Sequence, residues 1–184
     1  VVDGFGGVTA SDLTFTLTAV NDAPVVNLEE TSYSAIEQQP LLLSGLGMVI
    51  GNITDADNPT GILTVTLEID ENPNGGYLEI DTGRTGVNVD VAYDQPQRIQ
   101  LSGTISEIND LLAGAYDSHI SYVASSDNPA PAVNFRVIVN DNGQSGTGHS
   151  LSGDNSAVIN ILAVNDRPEI SVLAGDNDRG NTTE

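Results

Sequence analysis

The phrase AVNDAPVV beginning at Ala19 returns as AVNDRPEI beginning at Ala163, so the two copies stand 144 positions apart in a chain of 184 residues. Each follows an alternating run, LTFTLT from Leu13 and AVINIL from Ala157, and each run has an Asp-Gly or Asp-Asn-Gly turn upstream (Asp3-Gly4; Asp141-Asn142-Gly143). Self-similarity at a fixed long period marks a chain built from strung units. The expectation is one complete unit over 21–166. The last strand of a preceding unit lies at 1–20, and the start of the next unit or a flexible tail at 167–184, with 174–184 the most polar part. Neither flank is long enough to bury a core by itself. Residues 1–20 therefore need an edge to pair with, in this unit or in a neighbouring molecule.

Alternation with period two dominates the chain. In 8–20, Leu13, Phe15, Leu17 and Ala19 fall on one side and threonines on the other, the pattern of a half-buried strand in an antiparallel sheet. Asn21-Asp22-Ala23-Pro24 ends that run, because proline lacks a ladder donor and Asn and Asp favour turns. Further strands are expected at 24–28, 31–36, 41–43, 48–54, 63–69, 76–80, 87–93, 97–101, 119–124, 133–140 and 156–163. Thr, Val, Ile and Tyr dominate them, and clusters of Gly, Pro, Asn and Asp such as 71–76, 81–86 and 125–131 separate them.

One segment has the helical period. Thr104-Ile105-Ser106-Glu107 is a capping box, with Thr104 as N-cap and Glu107 reaching back to its amide. Ile105, Ile108, Leu111 and Leu112 share a helical face, and Gly114 suits the position just past the helix. The chain therefore reads as all-β: an antiparallel β-sandwich with one short helix, at about 105–113, lying across an open end of the sheets.

Charge narrows the function. Five Lys+Arg against 26 Asp+Glu give a formal charge of −21 and a pI near 4.1. Such a surface repels nucleic acid and anionic membrane. A disordered acidic tail is excluded by the 39% hydrophobic content, which is arranged in strand patterns. Divalent cations help a folded domain with this much like charge, and extracellular calcium, on the order of millimolar, is the obvious one. Cysteine is absent, which argues against a small disulfide-built domain but not against export. The longest apolar stretch, 41–50, is short and broken by glycines, so no membrane-spanning run or signal segment is read here, which leaves localisation open.

The segment richest in chemistry is Ile53-Thr54-Asp55-Ala56-Asp57-Asn58-Pro59. Two carboxylates at i and i+2 of a loop can face one ion, and calcium takes about six to eight oxygen ligands. The alternative is a turn whose Asp side chains cap nearby amides. Asn21-Asp22 stands at the junction phrase, and Glu37 comes just after Tyr33-Ser34-Ala35-Ile36.

With ND-x-P at a junction, Y-x-x-x-E after it, T-D-A-D next and V-x-V-x-D near the end, the chain resembles cadherin-like repeats. Adding LSGTISEINDLLAG followed by Tyr116, then VIVNDNG and AVND-x-P, it is similar to the tandem repeats of large calcium-dependent (RTX-type) surface adhesins of bacteria, over about Asp3 to Pro168. The resemblance implies a cadherin/immunoglobulin-like sandwich with Ca2+ bound between successive units. By that resemblance Asn21, Asp22, Glu37, Asp55, Asp57 and Asp141 form the first junction site, while Asn165 and Asp166, with Asp127, form the second. The chain departs from the family where Asp127-Asn128-Pro129 stands in place of Asp-Arg-Glu, and where Thr18 and Ala19 replace a leading Asp. The expectation is therefore fewer ions at either junction than in animal cadherins, or none at the second with the next repeat missing.

The resemblance further implies a non-catalytic extender or adhesion module of a long secreted or cell-surface bacterial protein. Its partners would be the adjacent repeats of the same chain, with any homophilic, surface or polysaccharide ligand met through other domains, and with no nucleic acid and no membrane insertion. Carboxylates from two units repel when empty and share an ion when calcium arrives, so the linker stiffens; extracellular sites of this kind need a Kd of only about 10⁻⁴–10⁻³ M. Two other readings compete: a calcium-dependent carbohydrate-binding module, and an accessory domain of a secreted hydrolase. His119 and His149 lack a serine or cysteine nucleophile in any motif, the tyrosines (Tyr33, Tyr77, Tyr93, Tyr116, Tyr122) are scattered, and Gly83-Arg84-Thr85-Gly86 precedes no helix.

Overall fold

The computed structural model describes residues 5, 12, 14–46, 49–70, 74, 76–90, 97–143 and 146–168. Eleven strands and one helix follow in order: β1 (Val25–Leu28), β2 (Ser32–Ile36), β3 (Pro40–Ser44), β4 (Gly51–Thr54), β5 (Ile62–Ile69), β6 (Tyr77–Asp81), β7 (Asn88–Val89), β8 (Arg98–Thr104), α1 (Ile105–Leu112), β9 (His119–Val123), β10 (Ala132–Asn140) and β11 (Ser152–Leu162). A six-stranded sheet of order β2-β11-β10-β5-β8-β7 faces a three-stranded sheet β3-β9-β6 and a two-stranded pair β1-β4. The fold is an all-β sandwich.

Period-two patterning builds its interior. In β10, Val133, Phe135, Val137 and Val139 are buried while Asn134 and Arg136 face solvent, and in β5 Leu63, Val65, Leu67 and Ile69 supply the adjoining row. Opposite them lie Leu43, Ile120, Tyr122 and Leu78 from the smaller sheet, with Val26 and Ile53 from β1 and β4. The helix closes one end. Glu107 receives the Thr104 amide at 2.8 Å and Thr104 Oγ1 accepts from the Glu107 amide at 3.3 Å, while Ile108, Leu111 and Leu112 are buried. Gly114 follows at φ +66, a conformation costly for any residue with a Cβ.

Five expectations need correction. The sheet is not purely antiparallel: β2 runs parallel to β11, Ser32 beside Val158 and Ile36 beside Leu162, because the chain leaves the β1-β4 pair and crosses to the other layer before β2 forms. The described part of 8–20 is no half-buried strand. Residues 14–19 have no ladder, and Phe15 and Leu17 are 78% and 94% exposed, because no strand of this unit lies beside them; only Val20 bridges to Thr147. Strand β11 starts at Ser152 rather than 156, since its polar first residues pair with β10 regardless of side chain. Strand β4 starts at Gly51, and among the described residues 87–90 of the expected 87–93 strand only Asn88–Val89 are strand. The Asp3-Gly4 turn, Met48, residues 91–93 and the 174–184 tail lie outside the described residues.

Candidate functional site

The T-D-A-D loop leaves β4 and turns immediately. Asp55 Oδ1 accepts from the amides of Asp57 and Asn58, each at 3.0 Å, so this carboxylate does cap a turn. Its other oxygen has no partner although the residue is only 8% exposed. Asp57 Oδ2 accepts from the amide of Asp22 at 2.6 Å. Asn58 folds back toward the carbonyl of Asp141 at 3.4 Å. It fits because residue 61 is glycine: a Cβ there would stand 1.7 Å from Asn58 Oδ1.

Asp141, fully buried at the end of β10, is the pivot of this leading set. Its Oδ1 accepts from the amides of Gly143 and Leu151, both at 2.8 Å, and its Oδ2 from Asn21 Nδ2 at 2.6 Å. Burial pushes the carboxyl upward, but the hydrogen bonds from Gly143, Leu151 and Asn21 outweigh it and hold the group below the ordinary carboxylate value. Asn21, Asp22, Asp55, Asp57 and Asp141 are thus joined by hydrogen bonds at one pole of the sandwich, with Asn58 as an added member.

Glu37 does not join them. At ~3.3 Å per residue the 11-residue β11 is about 35 Å long. Asp141 lies beyond the strand's start, where Asn140 pairs with Ser152, and Glu37 beyond its finish, where Ile36 pairs with Leu162. The parallel course of β2 carries Glu37 across the molecule, a displacement its place in the sequence does not reveal. There Glu37, 3% exposed, accepts from the Val164 amide through Oε2 at 2.7 Å, and its Oε1 has no partner. One carboxylate oxygen from each of Glu37, Asp127 and Asp166 lies within 4.8 Å of the others. Asp127 and Asp166 are exposed, Gln38 Nε2 donates to Asp127, and Asn165 lies exposed beside Asp166.

Both sets offer donors suited to a hard cation, but among the described residues only Glu37, Asp127 and Asp166 bring three carboxylate oxygens within reach of one ion; Asp22, Asp55, Asp57 and Asp141 do not converge in that way within this chain. Every candidate ligand is an oxygen of a carboxylate, amide or carbonyl, the donor class calcium takes. Oxygens bound to one calcium at about 2.4 Å can be at most about 4.8 Å apart, the span within which the trailing trio lies. Among the described residues three buried side-chain atoms lack a partner, and two of them are Glu37 Oε1 and Asp55 Oδ2, one in each set. A buried carboxylate oxygen without a donor is costly; an ion beside it removes that cost. Sequence reasoning missed Asn58, whose signal was the Asn-Pro-Thr-Gly run that frees space for it, and the His149 carbonyl, which accepts from Asn21 at 2.9 Å and has no sequence signal.

No protein-family model matches the chain, and no curated protein matches it. Among solved structures, the chain is similar to a cohesin module from a family 33 glycoside hydrolase of Clostridium perfringens, with a TM-score of 0.39 and 7% identity over 78% of this chain and 100% of that one. That likeness bears on neither partner nor activity. No helix among the described residues is long and apolar enough to cross a membrane.

Proposed function

We propose that this chain is a non-catalytic extender module of the cadherin-like kind, one unit of a long secreted or cell-surface bacterial adhesin whose successive units are stiffened by Ca2+. One observation carries the reading. Two acidic sets stand at opposite poles of the sandwich, each beside a copy of the same Asn-Asp-x-Pro phrase and each with a buried carboxylate oxygen that lacks a partner.

Because the copies are equivalent, Asp22 is to a preceding unit what Asp166 is to this one. A joint in an array is then the trailing set of one unit (Glu37, Asp127, Asp166) closed by the leading set of the next (Asp55, Asp57, Asp141, with Asn21). Six carboxylates meet there: Glu37, Asp127, Asp55, Asp57, Asp141 and the shared linker Asp. Without an ion their mutual repulsion opens the joint; with calcium they coordinate in common and the array straightens. The exposed Phe15 and Leu17 support the same division of the chain. By the repeat they are equivalent to Ile159 and Ile161 of β11, which pack in the sandwich, so their burial belongs to a sheet of the preceding unit.

A head-to-tail pair of units tests this by small-angle scattering. Millimolar calcium should lengthen and narrow the distribution of dimensions relative to chelator, and identical dimensions in both would reject the reading.

A further inference from the structure

The Gly/Ser-rich loop from β10 to β11 belongs to neither acidic set, yet it closes on the linker. Thr147 donates its amide (2.8 Å) and its hydroxyl (3.2 Å) to the carbonyl of Ala19, and the Asn21 amide returns a bond to the Thr147 carbonyl at 3.4 Å. Asn21 turns its side chain inward, to Asp141 Oδ2 and to the His149 carbonyl, and is left 6% exposed. The approach is close enough to require glycine at 146, where φ is +64 and a Cβ would lie 2.9 Å from both the Ala19 carbonyl oxygen and the Asn21 nitrogen. Downstream the linker is still held. The Asp22 amide bonds to Asp57, and the Pro24 carbonyl crosses Gly153, where a Cβ would stand 1.9 Å from that oxygen.

The other copy of the phrase differs. Asn165 is exposed where its equivalent Asn21 is buried, and among the described residues the last amide bond into the sandwich is that of Val164 to Glu37. The same residues are therefore clasped by the unit that follows them and only loosely attached to the unit that precedes them.

We infer that the β10–β11 loop, through Gly146, Thr147 and His149, is a metal-independent clasp that fixes the incoming linker to the unit it leads into. Resting on the proposed joint, it follows that calcium governs the joint from one side. The moving half is the attachment of Asn165-Asp166 to Glu37 and Asp127, and the half formed by Asn21, Asp22 and Asp141 is rigid before any ion binds.

Amide hydrogen exchange on this chain, followed by NMR in excess chelator and then in calcium, tests it. The Asn21, Asp22 and Thr147 amides should exchange about tenfold or more below their unstructured rates in chelator, and calcium should change them little. Exchange at the unstructured rate in chelator, with protection only in calcium, would overturn the clasp. A Gly146→Val variant provides the second arm, with β5 amides such as Leu67 reporting that the core is folded. It should release Asn21 and Thr147 while leaving Leu67 slow; unchanged protection of Asn21 in the folded variant would also overturn it. If calcium binds nowhere, Asn21 stays protected, so the clasp stands and the calcium joint alone falls.

Discussion

Asn21 donates its side-chain amide to Oδ2 of the fully buried Asp141 at 2.6 Å, joining the linker to the end of β10 across 120 positions of sequence. Asn21→Ala leaves that carboxylate oxygen buried without its donor. The expected loss is about 1–3 kcal/mol, read as a lowered urea midpoint in chelator. Asp141→Ala strands three donors at once, from Asn21, Gly143 and Leu151, and should cost more.

Acid should act on the same group. Hydrogen bonds hold the Asp141 carboxyl below its ordinary value against the upward push of burial. A depressed folded value means the stabilisation is fully present above the unfolded value, about 4, and is lost as pH falls through the folded one. Urea melts in chelator should therefore show stability near-constant from neutral pH to about 5, then falling below about 4. Asp141→Asn should flatten part of that acid limb.

Asn109 pairs its amide with both backbone groups of Ile53, accepting from its N–H at 2.7 Å and donating to its carbonyl at 2.9 Å. The side chain thereby stands in for a neighbouring strand along the free edge of β4. Asn109→Ala should cost about 1–3 kcal/mol, and Thr104→Ala, which removes the helix cap, about 1 kcal/mol. Thermal melts of the two variants check both.

These elements show what local pattern can and cannot reveal. The helix was legible because Thr104, Glu107, Gly114 and the Ile105/Ile108 spacing all point to one state, and the strands because their apolar residues alternate. The parallel partnership of β2 with β11 was not, since Ser32, Tyr33 and Ser34 look the same beside any neighbour. The pole occupied by Glu37 depends on that partnership and so escaped as well. The polar start of β11, at Ser152 and Asp154, is strand only because β10 holds it there.

Glu37→Gln separates structure from metal binding. Glutamine keeps an oxygen for the Val164 amide while removing the charge beside Asp127 and Asp166. Stability in chelator should stay within about 1 kcal/mol of wild type, while calorimetric calcium affinity falls at least about tenfold, since ligand charge sets affinity at such sites.

The most direct measurement is the melting temperature of this chain in chelator and in millimolar calcium, for wild type and for a triple variant, Glu37→Gln with Asp55→Asn and Asp57→Asn, that disables both acidic sets. A site with a Kd of about 10⁻⁴ M contributes about 1.4 kcal/mol at 1 mM calcium, a rise of roughly 3–6 °C for a domain of this size. Calcium coordination at the two poles predicts that rise in wild type and the loss of most of it in the triple variant. A wild-type melt indifferent to calcium, or an equal rise in both proteins, would contradict it.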